Sequence, residues 1–140
     1  MRVCLCLLAL AVCSLSAADK PKPTEIVSGK LIVRPGEQPA IETSQHKLIQ
    51  LDGDQQTRKV LHDPRVNGFD AEVHGHFTAP DKFLLDPQHM HSLLVHDHDG
   101  KTKMITYWCD VCYIRAYAPG PCVCCQKDTE IDLRELDDIR

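Results

Sequence analysis

Aromatic side chains are scarce in this 140-residue chain, at 5 % of positions with a single tryptophan. Any core must therefore be filled mainly by aliphatic residues. No long stretch repeats apolar residues at helical spacing, which argues against a helix bundle. There is no glycine-rich loop to cradle a phosphate and no nucleophile elbow, so two large enzyme classes find no support. An excess of positive charge is also missing. Lys and Arg number 16 against 20 Asp and Glu, a net charge of −4, which argues against nucleic acid or an anionic membrane as partner.

What is present begins with Met1-Arg2, an apolar run over residues 3–13, and small residues at Ser16 and Ala18. One positive charge, a short apolar stretch and a small-residue cleavage site make up a secretory signal peptide. The run is too short for the roughly 20 residues that a membrane helix needs. Residues 1–18 are expected to be removed, leaving a mature chain exported to the periplasm or the extracellular space. Val12 precedes Cys13 where a lipoprotein signal wants a small residue, so lipid anchoring at Cys13 is disfavoured. Residues 19–24, with Lys20-Pro21-Lys22-Pro23, form a linker. Residues 25–140 form one mature β domain, with no second apolar segment and no stable membrane insertion expected. Cleavage removes Arg2, Cys4, Cys6 and Cys13. The mature net charge becomes −5, and five cysteines remain, all within residues 109–125.

The readable segments of the mature chain are short and strand-like. Ile26-Val27 and residues 31–33 lie around Gly29 and end at Arg34-Pro35-Gly36; residues 47–51 end at Asp52-Gly53-Asp54. Val60-Leu61 reads as a brief strand stopped by Asp63-Pro64. Residues 69–78 alternate apolar and polar, the period of a half-buried strand. Residues 83–85 stop at Asp86-Pro87. Residues 92–96 and 103–108 flank Asp97-His98-Asp99-Gly100-Lys101, a hairpin signal. Residues 129–133 read as a strand, with a short helix through Leu133, Leu136 and Ile139 as the alternative. Five to seven such strands predict an all-β fold, a small barrel or sandwich with a C-terminal cysteine-rich knuckle. Over residues 25–86 the order of strands and turns, including Asn67-Gly68, resembles small secreted barrels of OB-like form.

The cysteines carry the chemistry. Cys109, Cys112, Cys122 and Cys125 form C-x2-C-x9-C-x2-C, with Cys124 as a fifth thiol and Pro119-Gly120-Pro121 leading into the second pair. Two residues between paired cysteines let one tight turn aim both sulfurs at one point, as a tetrahedral ion with bonds near ~2.3 Å requires. The pattern resembles the double knuckle of zinc ribbons and rubredoxins over about 17 residues. It departs from them in its short spacer and in lacking the usual glycine after each pair. The resemblance implies zinc, with copper(I) as an alternative suited to crowded soft sulfurs. The tail, Cys-x-x-Cys-Tyr-Ile-Arg followed by Pro-Gly-Pro-Cys-x-Cys-Cys-Gln, is similar to that of secreted proteins from environmental bacteria, a likeness that brings no activity with it.

Competing readings remain open. Covalent haem attachment fails because Tyr113, not histidine, follows Cys112. A thiol–disulfide oxidoreductase would use Cys109 and Cys112 after Trp108, but its βαβ surroundings are missing. Disulfides suit an oxidising compartment, although an odd count and a vicinal Cys124-Cys125 pair are awkward for them. Six of the eight histidines occur as His-x-His: His74/His76, His89/His91 and His96/His98. On a strand, residues two apart share a face and can offer two imidazoles to one ion. His89 and His91, with Met90 between them, are the candidates for a copper or zinc handling site in the cell envelope. The plain alternatives are a solvated polar strand face for His74 and His76 and a turn cap for His96 and His98. His46 and His62 read as surface residues. A non-enzymatic metal-binding domain is the expected function.

Overall fold

The computed structural model describes residues 22–138, so the expected signal peptide and the first part of the linker lie outside the described residues. Among the described residues nine strands dominate: β1 Glu25–Ile32, β2 Ala40–Glu42, β3 Leu48–Asp52, β4 Asp70–Ala79, β5 Lys82–Leu85, β6 Leu93–His96, β7 Thr102–Cys109, β8 Ile114–Ala116 and β9 Glu130–Glu135. Two short helices, α1 Gln55–Leu61 and α2 His89–Ser92, join them. The all-β expectation holds.

The first five strands close on themselves. β1 pairs with β2, β2 with β3, β3 runs parallel to β5, β5 pairs with β4, and β4 returns to β1. This is a small barrel of OB-like form with α1 in the connection between β3 and β4. Two glycines make closure sterically feasible. A Cβ on Gly29 would fall 2.1 Å from the Glu42 carbonyl oxygen, and one on Gly75 would fall 2.1 Å from that of Leu84. Only glycine allows strands to bend and backbones to approach so closely there. The barrel is filled by Leu31, Ile41, Leu51, Val73 and Phe83, each at most 1 % exposed. Phe83 meets Phe77 edge-on with ring centroids 5.0 Å apart.

The sheet then leaves the barrel. The early part of β4 pairs with β6, β6 with β7, and β7 with both β8 and β9. β7 thus runs from the barrel wall to Cys109 at its end, and this strand positions the cysteine region. The predicted hairpin around Asp97-Gly100 is β6–β7, and the C-terminal strand is β9, followed by a 3-10 turn at Leu136–Asp138.

One local expectation is corrected. Val60 and Leu61 end helix α1 instead of forming a strand. Asp54 caps the helix, accepting from the Thr57 N–H at 2.7 Å, and Thr57, Val60 and Leu61 bury one helical face. An apolar pair alone carries no period, so the cap was the missing clue.

Candidate metal centre

The four sulfurs of Cys109, Cys112, Cys122 and Cys125 all lie within 4.8 Å of one another. The Cys109 and Cys125 sulfurs are 3.5 Å apart. A tetrahedral ion with bonds of ~2.3 Å needs sulfur pairs separated by about 3.8 Å, so small side-chain adjustments suffice. Among the described residues this is the one group of three or more metal-ligating side chains that converges in this way.

The convergence comes from one turn used twice. In the first, the Tyr113 N–H donates to the Cys109 carbonyl oxygen at 2.9 Å, and the Cys112 N–H points at the Cys109 sulfur at 3.5 Å. In the second, the Gln126 N–H donates to the Cys122 carbonyl oxygen at 2.9 Å, and the Cys124 N–H points at the Cys122 sulfur at 3.5 Å. The residue after each pair has a left-handed backbone, with φ of 55° at Tyr113 and 62° at Gln126. These are the two positions where the sequence lacks the glycine usual to such knuckles. The turn forms without it, at a conformational cost.

Each knuckle is the tip of a hairpin. β7 and β8 carry the first, with Cys109 opposite Ile114. A narrower hairpin carries the second, with the Cys122 N–H donating to the Lys127 carbonyl oxygen at 2.7 Å and Pro121 bridged to Asp128. Buried Thr129 fixes its base, its hydroxyl donating to the Gly120 carbonyl oxygen at 2.9 Å. Arg65 reaches from the barrel to the Thr129 carbonyl oxygen at 2.7 Å. The same guanidinium pairs with buried Asp63 at 2.8 Å, and the Tyr107 hydroxyl donates to that carboxylate at 3.0 Å. Asp63, Arg65 and Thr129 therefore tie the second knuckle to the barrel. No local motif announces them, because Arg65 and Thr129 are 64 residues apart in sequence.

Backbone N–H groups aimed at sulfur favour the thiolate, the form a metal binds. At Cys122 the N–H groups of Cys125 and Cys124 bring the thiol down to about 7. At Cys109 the Cys112 N–H pulls the same way, but burial and the neighbouring sulfurs outweigh it and the thiol is raised. Cys112 is also raised, first by Cys124 and then by Cys125. Without a cation, Cys109 and Cys112 therefore favour the thiol form and Cys122 the thiolate. A divalent cation would favour the thiolate at all four.

The remaining predicted ligands lie apart. Cys124 is exposed and stands outside the group of four. His89 and His91 are on the single turn α2, not on a strand. Residues two apart on a helix do not face each other. His89 is fully buried, its Nε2 in hydrogen bond with the Ile105 carbonyl oxygen at 3.2 Å, while His91 is exposed. Burial lowers the His89 pKa and keeps the ring neutral. Histidines from two different pairs meet instead. The Glu72 carboxylate lies 3.0 Å from His74 Nε2 and 3.7 Å from His96 Nε2. His98 is fully exposed beside Asp97.

Against known proteins, the chain matches no family model, no curated protein and no solved structure, so its function is read from its own residues.

Proposed function

We propose that this chain is an exported, non-enzymatic metal-binding domain in which Cys109, Cys112, Cys122 and Cys125 hold one zinc ion. The observation that carries this reading is the meeting of four sulfurs, from two like turns, within 4.8 Å. Zinc suits four thiolates in a closed tetrahedron, the arrangement of structural sites, whereas catalytic zinc keeps an open position. Binding would couple to folding of the two hairpins, because their ligands converge only when both tips are formed. Among the described residues no helix is long and apolar enough to cross a membrane. The N-terminal sequence features support export.

The test is metal analysis and thiol counting on protein purified from the periplasm. One equivalent of zinc, with four thiols shielded from alkylation until a chelator is added, is the expected result. Two disulfides and no metal would overturn the reading in favour of a cross-linked secreted domain. Insulin reduction that depends on Cys109 but not on Cys122 would overturn it in favour of an oxidoreductase.

A further inference from the structure

The alternation that buries one face of β4 leaves a different chemistry on the other. Ala71 and Val73 point into the barrel core, so Glu72 and His74 share the outer face. β6 lies alongside, with Glu72 opposite Leu94 and His96 two residues further on. Such a diagonal neighbour is within reach of a long side chain. Two imidazoles from different His-x-His pairs thus reach the two oxygens of one carboxylate. His74 Nε2 is 3.0 Å from Glu72 Oε1, and His96 Nε2 is 3.7 Å from Oε2. All three side chains are half-buried. On the neighbouring strand Lys30 pairs with Asp70 instead, at 3.2 Å.

We propose that Glu72, His74 and His96 form a second metal site, which takes a divalent cation through two nitrogens and one oxygen. A tetrahedral zinc with bonds of about 2.0–2.1 Å sets its ligand atoms roughly 3.4 Å apart. The two nitrogen–oxygen distances fall on either side of that value. The three ligand atoms do not all lie within 4.8 Å of one another, as the four sulfurs do. Closure on one ion needs a turn of the His96 ring, whose side chain is 34 % exposed. That ring borders an open cleft of about 460 Å³, shared with Lys30, His46 and Asp70, which gives the ion its way in. Three protein ligands leave the fourth position of zinc to water, an arrangement that four cysteines exclude. Soft thiolates hold zinc more tightly than imidazole and carboxylate. The outer site is therefore the weaker of the two and loses its ion on purification. The inference goes beyond the cysteine centre and does not depend on it.

The experiment titrates zinc into the whole chain, following binding by calorimetry, the imidazoles by NMR and the cysteines by alkylation. Two equivalents are expected to bind. The first protects the cysteines, and the second shifts or broadens the ring signals of His74 and His96 while fully exposed His98 stays unmoved. Glu72→Gln and His96→Gln should each weaken the second equivalent at least tenfold, since even outer partners of metal ligands are worth that much. Thiol protection should be unchanged in both. If either variant does not fold, the wild-type ring signals decide the matter. Binding that stops at one equivalent with the cysteines protected would overturn this site and leave the cysteine centre intact. So would a second equivalent that leaves His74 and His96 unmoved, or one that the substitutions do not weaken. Ring shifts at His74 and His96 without thiol protection would overturn the cysteine centre and leave this site standing.

Discussion

Strands β1 to β5 and the two cysteine hairpins are parts of one chain, yet they bury very different things. The barrel hides Leu31, Ile41, Leu51, Val73 and Phe83 almost completely. Between residues 110 and 128 only Cys122 is buried. Apolar side chains there point outward instead, with Tyr113 75 % and Val123 82 % exposed. The barrel therefore has a hydrophobic reason to fold, and the hairpin tips have almost none. What the tips have is sulfur. In such a segment a shared ion would do the work of a core, holding two turns that cannot bury enough surface to hold themselves.

The sharpest way to break this contrast is to take the metal away. Apparent binding free energies of structural zinc sites are on the order of 10 kcal/mol, more than the tips can gain by packing. On chelation, amide hydrogen exchange over residues 110–128 should rise to that of an unfolded segment. Amides of β4, paired on both sides, should stay protected. Tips that kept their protection without metal would show that packing alone holds them. The reciprocal change is Phe83→Ala, which opens a cavity in the barrel. A loss of about 3–5 kcal/mol in denaturant unfolding is expected. Protein that remains folded should still bind one equivalent of zinc, because no ligand touches that cavity.

Between these extremes lies the junction. Burial pushes the Asp63 carboxyl up, but the Arg65 guanidinium and N–H and the Tyr107 hydroxyl together outweigh it and hold it below its ordinary value of 3.8. Because the folded value is depressed, the stabilisation is complete above about pH 4 and is lost as pH falls through the folded value. Asp63→Asn leaves Arg65 and Tyr107 without their charged partner. The expected cost near neutral pH is about 2 kcal/mol, at the low end for a buried pair because Arg65 is partly solvated. The gap in Tm between variant and wild type should close as the pH falls below 3.8. Zinc affinity should fall with stability, since Arg65 also holds Thr129. A variant that lost stability with unchanged zinc affinity would separate barrel from knuckle.

The two regions also differed in how far they could be read from sequence. The cysteine spacing was legible because ligand chemistry fixes it locally: two residues between sulfurs allow only a few turns. Alternation made β4 legible, and Asp99-Gly100 marked the β6–β7 hairpin. The strands β2 and β8 went unread, since three residues are too few to show a period. The spacing of His89 and His91 did not show whether they share a face, because residues two apart form a pair only if the backbone is extended. The structure has a helical turn there, entered through Gln88 with φ of 69°. Nothing local could reveal the Asp63–Arg65–Thr129 link, which depends on the barrel bringing distant segments together.

The smallest expected effect tests the claim that both knuckles are one turn. Gln126 holds φ of 62° where its side chain contributes little, being exposed with one weak hydrogen bond to the Val123 carbonyl oxygen at 3.4 Å. A left-handed backbone costs a non-glycine residue roughly 1–2 kcal/mol, and glycine adopts it freely. Glycine gives back about 0.5–1 kcal/mol through the greater freedom of the unfolded chain. Gln126→Gly should therefore stabilise the second hairpin by about 0.5–1 kcal/mol, read as slower exchange at the Gln126 and Cys122 amides, which donate within it. Tyr113→Gly relieves the same backbone but removes the ring that meets Trp108 edge-on, with centroids 6.2 Å apart. Its gain should be smaller or nil. If Gln126→Gly destabilised the hairpin as much as an alanine does, the left-handed turn would not be what holds the second pair in place, and the likeness of the two knuckles would be one of sequence spacing only.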